Sequence, residues 1–198
     1  MSADGKKAKT VVLKICLLGD GAVGKTNLRR NYLGQGFTKD HLMTIGADFA
    51  AADKVLKFNE KDYNITYQIW DLAGQASFNQ VRSMYYRGVF GALMVFDITR
   101  PSSFQNIKGW IEELEKNSGR GSVPMILLGN KFDLVDSAED TVKQEEIDAL
   151  LAELNTNQEE NGFEITYLHT SALTGLNVED AFNRLGTSIL EWLNVGKK

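Results

Sequence analysis

The stretch Gly19-Asp20-Gly21-Ala22-Val23-Gly24-Lys25-Thr26 directly follows the β-branched and aliphatic run Val11 to Leu18 and precedes a helical stretch beginning near Lys25. Glycines at the first and sixth positions, then lysine and threonine, make the eight-residue pattern of a phosphate loop, and the pattern needs this strand-to-helix setting to work. Successive backbone amides cradle phosphate oxygens, the helix N-terminus adds a favourable dipole, and the lysine brings an ammonium to the β and γ phosphates. The plainer reading, a glycine-rich turn ahead of an ordinary surface lysine, does not explain that setting.

Working outward, Asp48 to Phe58 and Asn64 to Trp70 alternate around the polar turn Asn59-Glu60-Lys61-Asp62 and read as a hairpin, with Asn59 to Tyr63 a long connection. Three apolar runs, Ala92 to Phe96, Met125 to Leu128 and Ile165 to His169, read as buried parallel strands. Helices are expected over Gln80 to Tyr86, Ser102 to Asn117, Lys143 to Glu160 and Val178 to Leu193. Ser102 can cap its helix, and Pro124 can begin a strand. The fold class is therefore α/β: a three-layer sandwich of the phosphate-loop NTPase type, with a mostly parallel six-stranded sheet and one antiparallel edge strand. A domain over 11–194 is expected between a basic tail, 1–10, and a short tail, 195–198. The polar region Leu134 to Glu164 reads as an extended connection with a peripheral helix.

Composition bounds the partners. The 198 residues carry 22 basic and 26 acidic side chains, well mixed, so no whole-protein field attracts nucleic acid, and one monomeric domain is the expectation. The basic run Lys6, Lys7, Lys9 and Lys14 reads as solubilising. Cys16 is the only cysteine and lies within an apolar strand, which excludes an internal disulfide. No run approaches a membrane span or a secretory core, so the chain is expected to be intracellular. Met1-Ser2 lacks the glycine for myristoylation and Gly196-Lys197-Lys198 lacks a cysteine for prenylation, so no lipid anchor is expected.

Chemistry gathers where the strands end. The Thr26 hydroxyl suits magnesium, a hard cation that takes oxygen ligands, although a helix cap is its plainer role. Asp71 follows the strand end Ile69-Trp70 and could orient a magnesium-bound water, while Gly74 could turn an amide toward a γ phosphate and Gln75 could align an attacking water. Thr44 reaches magnesium only if its polar loop closes; otherwise it caps a strand. Asn130-Lys131-Phe132-Asp133 sets a carboxylate at a sheet terminus, where Asp133 can accept from guanine's ring and exocyclic nitrogens, a donor pair that adenine lacks. Lys131 can cover the base with its stem and Asn130 can brace the loops. Taken alone, the tetrapeptide could equally be a polar loop.

These motifs resemble the Ras-like small GTPase superfamily, and Trp70 to Gly88, with Gln75 and Tyr85-Tyr86-Arg87-Gly88, is most similar to its Rab branch. The resemblance covers about Leu13 to Trp192. It implies nucleotide contacts from Gly19, Asp20, Gly21, Ala22, Val23, Gly24, Lys25, Thr26 and Asn27. It implies further contacts from Phe37 beside guanine, from Asn130, Lys131 and Asp133, and from the final base loop Ser171, Ala172 and Leu173. It implies Thr26, Thr44 and Asp71 as magnesium ligands, and Gln75, Lys25, Gly74 and Thr44 as the residues of GTP hydrolysis to GDP and phosphate. It also implies Phe49, Trp70 and Tyr85 as an exposed aromatic trio, where composition alone reads core packing. Departures are His41, Met43, Leu72 and Ala76 around the switches and Leu173 in place of the usual lysine. The implied protein is a cytoplasmic switch, peripheral at an internal membrane through a partner, meeting effectors, exchange factors and GTPase-activating proteins. A hydrolysis-poor scaffold and an ATPase or small-molecule kinase are the competing classes.

Overall fold

The computed structural model describes residues 9–38 and 44–195. The tail lysines before Lys9, the departures His41 and Met43, and the final Gly196-Lys197-Lys198 lie outside them. Strand β1, Lys9–Leu18, forms because its residues alternate between two apolar environments. Leu13, Ile15 and Leu17 face one core and Cys16 and Leu18 the other, so the strand is buried on both sides. Helix α1, Lys25–Tyr32, follows the glycine-rich loop, then β2, Ala47–Phe58, and β3, Lys61–Leu72. Next come α2, Asn79–Tyr86; β4, Gly91–Asp97; α3, Pro101–Gln105; α4, Ile107–Asn117; and β5, Met125–Asn130. The chain continues through α5, Gln144–Leu154; α6, Gln158–Asn161; β6, Thr166–His169; and α7, Val178–Val195.

Among the described residues the sheet has six strands in the order β2-β3-β1-β4-β5-β6, with β2 antiparallel at one edge and every other pairing parallel. This is the fold class expected. Leu28 and Tyr32 of α1 and Phe182, Leu185 and Ile189 of α7 close one face. Tyr86 of α2, Trp110 and Leu114 of α4, and Ile147 and Leu150 of α5 close the other. Tyr32 and Phe182 stack with centroids 3.7 Å apart, joining α1 to α7. Cys16 is a free, fully buried core residue whose thiol burial pushes up to about 12, as its apolar setting suggested.

Several local readings are corrected. The hairpin connection is two residues long, because Phe58 pairs with Lys61 and only Asn59 and Glu60 turn the chain, both at positive φ (48° and 59°). That is a tight turn whose hand matches the strand twist, and it lacks the usual glycine, which is why it reads as longer in sequence. Ser102 makes no cap; the neighbouring Ser103 hydroxyl is buried, donating to Arg100 O and accepting from Asp97 N. The helix expected over Ser102 to Asn117 breaks at Asn106. That over Lys143 to Glu160 ends with Leu154, because the Asn155 amide pairs with both backbone groups of Ile165 and turns the chain toward β6. The region from Leu134 is compact rather than extended: residues 132–137 coil tightly and α5 begins with Lys143 N donating to Glu146 Oε2.

Glu60→Gly is expected to stabilise the fold by about 0.5–1 kcal/mol, since glycine relieves the left-handed strain and gives back part of the gain as chain entropy. Urea unfolding at fixed nucleotide concentration checks this, and an unmoved midpoint would deny that Glu60 is strained.

Candidate functional site

The C-terminal ends of β1, β3, β4, β5 and β6 share one rim because all five strands run parallel. The loops leaving that rim enclose a cleft of about 700 Å³. Gly21, Ala22, Gly24, Lys25, Thr26 and Asn27 line it from the first loop and α1, while Phe37, Thr44, Gly74 and Gln75 line it from the next two loops. Asn130, Lys131 and Asp133 line it from the end of β5, and Ala172 and Leu173 from the loop after β6. Gly19, Asp20, Val23, Asp71 and Ser171 stand behind this lining.

Lys25 is buried and donates to Gly19 O (2.7 Å) and Asp20 O (2.8 Å), which curls the loop around its ammonium. Burial lowers its pKa to about 8, with Asp71 and Asp20 opposing the shift. The Asp20 carboxylate turns away from the cleft, accepting from Trp110 Nε1 (2.9 Å) and Asn106 Nδ2 (2.8 Å). Arg100 donates to Gly21 O at 2.8 Å. Asn27 exchanges two hydrogen bonds with the backbone of Thr38, anchoring the segment that carries the half-exposed Phe37.

Three oxygen-bearing side chains from different loops converge. Thr26 Oγ1 donates to Asp71 Oδ2 at 2.5 Å and lies 3.1 Å from Thr44 Oγ1. Asp71 is fully buried, its other oxygen has no hydrogen-bond partner, and burial pushes its pKa up while the Thr26 hydroxyl and Lys25 hold it down. Hard oxygen donors, an orphaned buried carboxylate oxygen and a 3.1 Å hydroxyl separation fit magnesium. Neighbouring ligands of an octahedral magnesium stand about 3 Å apart. Behind them Gly74 packs on the first loop so tightly that a Cβ would lie 2.3 Å from Asp20 C and 2.5 Å from Gly21 N, so only glycine fits.

The other end of the cleft is organised by Asn130, which is fully buried. Its Nδ2 donates to Val23 O (2.8 Å), and its Oδ1 accepts from Ala172 N (3.1 Å) and Thr170 Oγ1 (3.3 Å). A Cβ at Gly24, whose φ is 99°, would lie 2.3 Å from that Nδ2. Lys131, also at positive φ, pairs with Asp97 at 2.7 Å, which lays its stem along the cleft. Ser171 Oγ donates to Asp133 Oδ1 at 2.5 Å and accepts from Thr174 N, fixing the carboxylate. Leu173 is half exposed at the cleft wall.

Beside the rim, Phe49, Trp70 and Tyr85 form a run of rings with centroids 5.0 Å apart at each step, and Phe49 is 48% exposed. Core packing describes two of them in part, since Trp70 and Tyr85 are half-buried against the core, and only Phe49 stands clear of it. Ile45, Val81 and Met84 are also exposed. Leu72, by contrast, is buried in the core, and of the Ala76 side chain nothing is described. Sequence reasoning missed Arg82, Arg100, Asp97 and Trp110, each of which has a decisive partner far along the chain, Glu113, Gly21, Lys131 and Asp20; the one available signal was Asp97, an acid ending an apolar strand at the rim.

The profile of the Ras family matches residues 14–191. Ras-related protein Rab-13 of Mesocricetus auratus is 37% identical over 184 residues, 93% of this chain and 83% of the relative. GTP-binding protein ypt3 of Schizosaccharomyces pombe is 39% identical over 178 residues, 90% of this chain and 76% of the relative. Ras-related protein RABA5c of Arabidopsis thaliana is 36% identical over all 198 residues and 84% of its own length. The chain therefore belongs to the Ras family of small GTP-binding proteins, close to its Rab branch. Members of this family bind GTP and GDP with magnesium and work as GTPases.

Asn130→Ala would strip Val23 O and Ala172 N of their buried partner, and a loss of about 2–4 kcal/mol in unfolding free energy is expected. Chemical denaturation measures it; a loss below about 0.5 kcal/mol would remove Asn130 as the brace of the rim.

Proposed function

We propose that this chain holds GTP and GDP in the cleft, hydrolyses the γ phosphate and uses the difference between the two states to recruit effector proteins. The observation that carries the reading is one cleft faced by the phosphate loop, the Thr26 and Thr44 hydroxyls and the Asn130, Lys131 and Asp133 side of the rim, with Asp71 bonded to Thr26 just behind it. The backbone of Gly19 to Thr26 would cradle the phosphates, with Lys25 already drawn over the loop by its two carbonyl bonds. Thr26, Thr44 and Asp71 would hold magnesium, which would supply positive charge to offset that of the phosphate oxygens. Gly74 would offer its N–H to the γ phosphate and Gln75 would orient the attacking water. Asp133, steadied by Ser171, would accept from guanine's two nitrogens, with the Lys131 stem, Phe37 and Leu173 around the base.

Phe49, Trp70 and Tyr85, with Ile45, Val81 and Met84, would form the face read by effectors, because the patch borders both loops that a γ phosphate would order. Exchange factors and GTPase-activating proteins complete the cycle, and the Rab relatives favour work at internal membranes reached through a partner. No helix of the described residues is long and apolar enough to cross one.

Gln75→Leu is expected to keep GTP and GDP affinity while lowering single-turnover phosphate release, because leucine has neither donor nor acceptor for water. Chelating magnesium should abolish release in both proteins, and GTP should outcompete ATP for the cleft. Wild type releasing no more phosphate than nucleotide alone would favour the scaffold reading, and equal chemistry in Gln75→Leu would reject the glutamine's role.

A further inference from the structure

Arg82 is the bulkiest of the fully buried side chains, 2% exposed, yet it carries a charge and stands on a helix beside the rim. A buried cation has to be paired and fully hydrogen-bonded, and a guanidinium has five N–H groups to satisfy. All five are used. Nε and one NH2 proton take the two oxygens of Glu113 on α4 at 2.9 and 3.0 Å, and the other NH2 proton goes to Asn79 Oδ1. NH1 donates to Ala73 O at 2.8 Å and to Gln75 O at 2.7 Å. Tyr86 adds its hydroxyl to Glu113 Oε1 at 2.9 Å, and the guanidinium carbon sits 4.4 Å from the centre of the Trp110 ring. With no N–H left over, Arg82 binds no ligand; it joins a loop to a helix.

The loop is the one that matters for hydrolysis. The Ala73 carbonyl and the Gly74 N–H belong to one planar, trans peptide unit and point in opposite directions. Pinning Ala73 O on one side therefore aims Gly74 N–H away from Arg82. Gly74 separates Arg82 from the nucleotide cleft: it lines that cleft and also a second hollow of about 590 Å³, which Arg82, Trp110 and Glu113 line. The second bond, to Gln75 O, fixes the backbone of the water-aligning residue, whose Cγ lies 3.8 Å from where a Cβ on Gly21 would stand. Trp110 meanwhile holds Asp20 of the phosphate loop, so α4 fixes both reacting walls of the cleft.

Resting on the GTPase reading above, we propose that Arg82, locked to Glu113, is a positioning residue for hydrolysis that sets the Gly74 amide and Gln75 against the γ phosphate. It touches neither nucleotide nor water and acts through the Ala73 and Gln75 carbonyls.

The test uses full-length chain loaded with GTP and magnesium and compares wild type, Arg82→Ala, Arg82→Lys, Glu113→Gln and the surface control Lys108→Ala. Arg82→Ala is expected to slow single-turnover phosphate release about 10- to 100-fold, the size of effect that small misplacements of reacting groups produce, while GDP affinity stays within about threefold. Arg82→Lys and Glu113→Gln should lose less, and Lys108→Ala nothing. Millimolar guanidinium should recover part of the Arg82→Ala rate, since the truncated side chain opens onto the second hollow, and should not accelerate wild type. A mere strut would instead lose GDP affinity and hydrolysis together, without rescue, and that result overturns the proposal. Should Arg82→Ala fail to fold, Arg82→Lys and Glu113→Gln decide it: wild-type rates in both overturn it. An active wild type matched by Arg82→Ala sinks this inference alone, whereas a wild type that releases no phosphate sinks the GTPase reading with it.

Discussion

Everything at the rim depends on one amide. Asn130 ends a fully buried strand, and its side chain reaches the phosphate loop through Val23 O in one direction and the loop after β6 through Ala172 N in the other. Those two segments are more than a hundred residues apart in the chain, and no strand pairing joins them. A carboxylate there would bring an unwanted charge and could not donate to Val23 O, and a serine would be too short to span the gap. Only a side chain with one donor and one acceptor held about two carbon atoms from the backbone closes the circuit. The spacing between the loop after β1 and the Ala172 end of the cleft follows from that span.

The two faces of the sheet divide the work. On the α1 and α7 face the contacts are mainly apolar and aromatic, such as the Tyr32 and Phe182 stack, with the Tyr67 hydroxyl donating to Phe182 O as a buried polar anchor. The α4 face mixes the same apolar packing with polar anchors: the buried Arg82 to Glu113, and Asp20 to Trp110 and, nearer the surface, Asn106. Buried charge pairs contribute little net stability, but losing one partner is costly. Their value lies in specifying one arrangement of the loops that meet there.

What could be read from the chain divides along the same line. The phosphate loop, Thr26, Asp71 and the Asn130 to Asp133 turn are local patterns whose chemistry follows from residue type and from their place after a strand. The parallel order of strands followed from apolar runs alternating with helical spacing. Arg82 was not legible because one arginine on a short amphipathic helix looks like a solvated surface residue until Glu113, 31 positions on, is brought to meet it. The Asn59-Glu60 turn was misjudged because neither residue is glycine, and the end of α5 because Asn155 shows its role only when Ile165 lies beside it. The Arg82 and Asn155 failures concern contacts between residues brought together by folding, whereas the turn is a local backbone conformation that its residue types do not announce.

Strand β2 has a consequence of a different kind. Among the described residues it pairs on one side only, so its outer edge carries unpaired N–H and C=O groups, and such an edge invites a second copy to add itself. Asp48, Asp53, Lys54 and Lys57 interrupt that edge with charge of both signs, and Asp53 is tied back to Thr66 across the hairpin. Stacking another β2 against it would bring these charges out of water beside the apolar Phe49 and Val55. The fold thereby leaves the Phe49 ring and Val55 exposed while its charges discourage the edge of one copy from pairing with that of another.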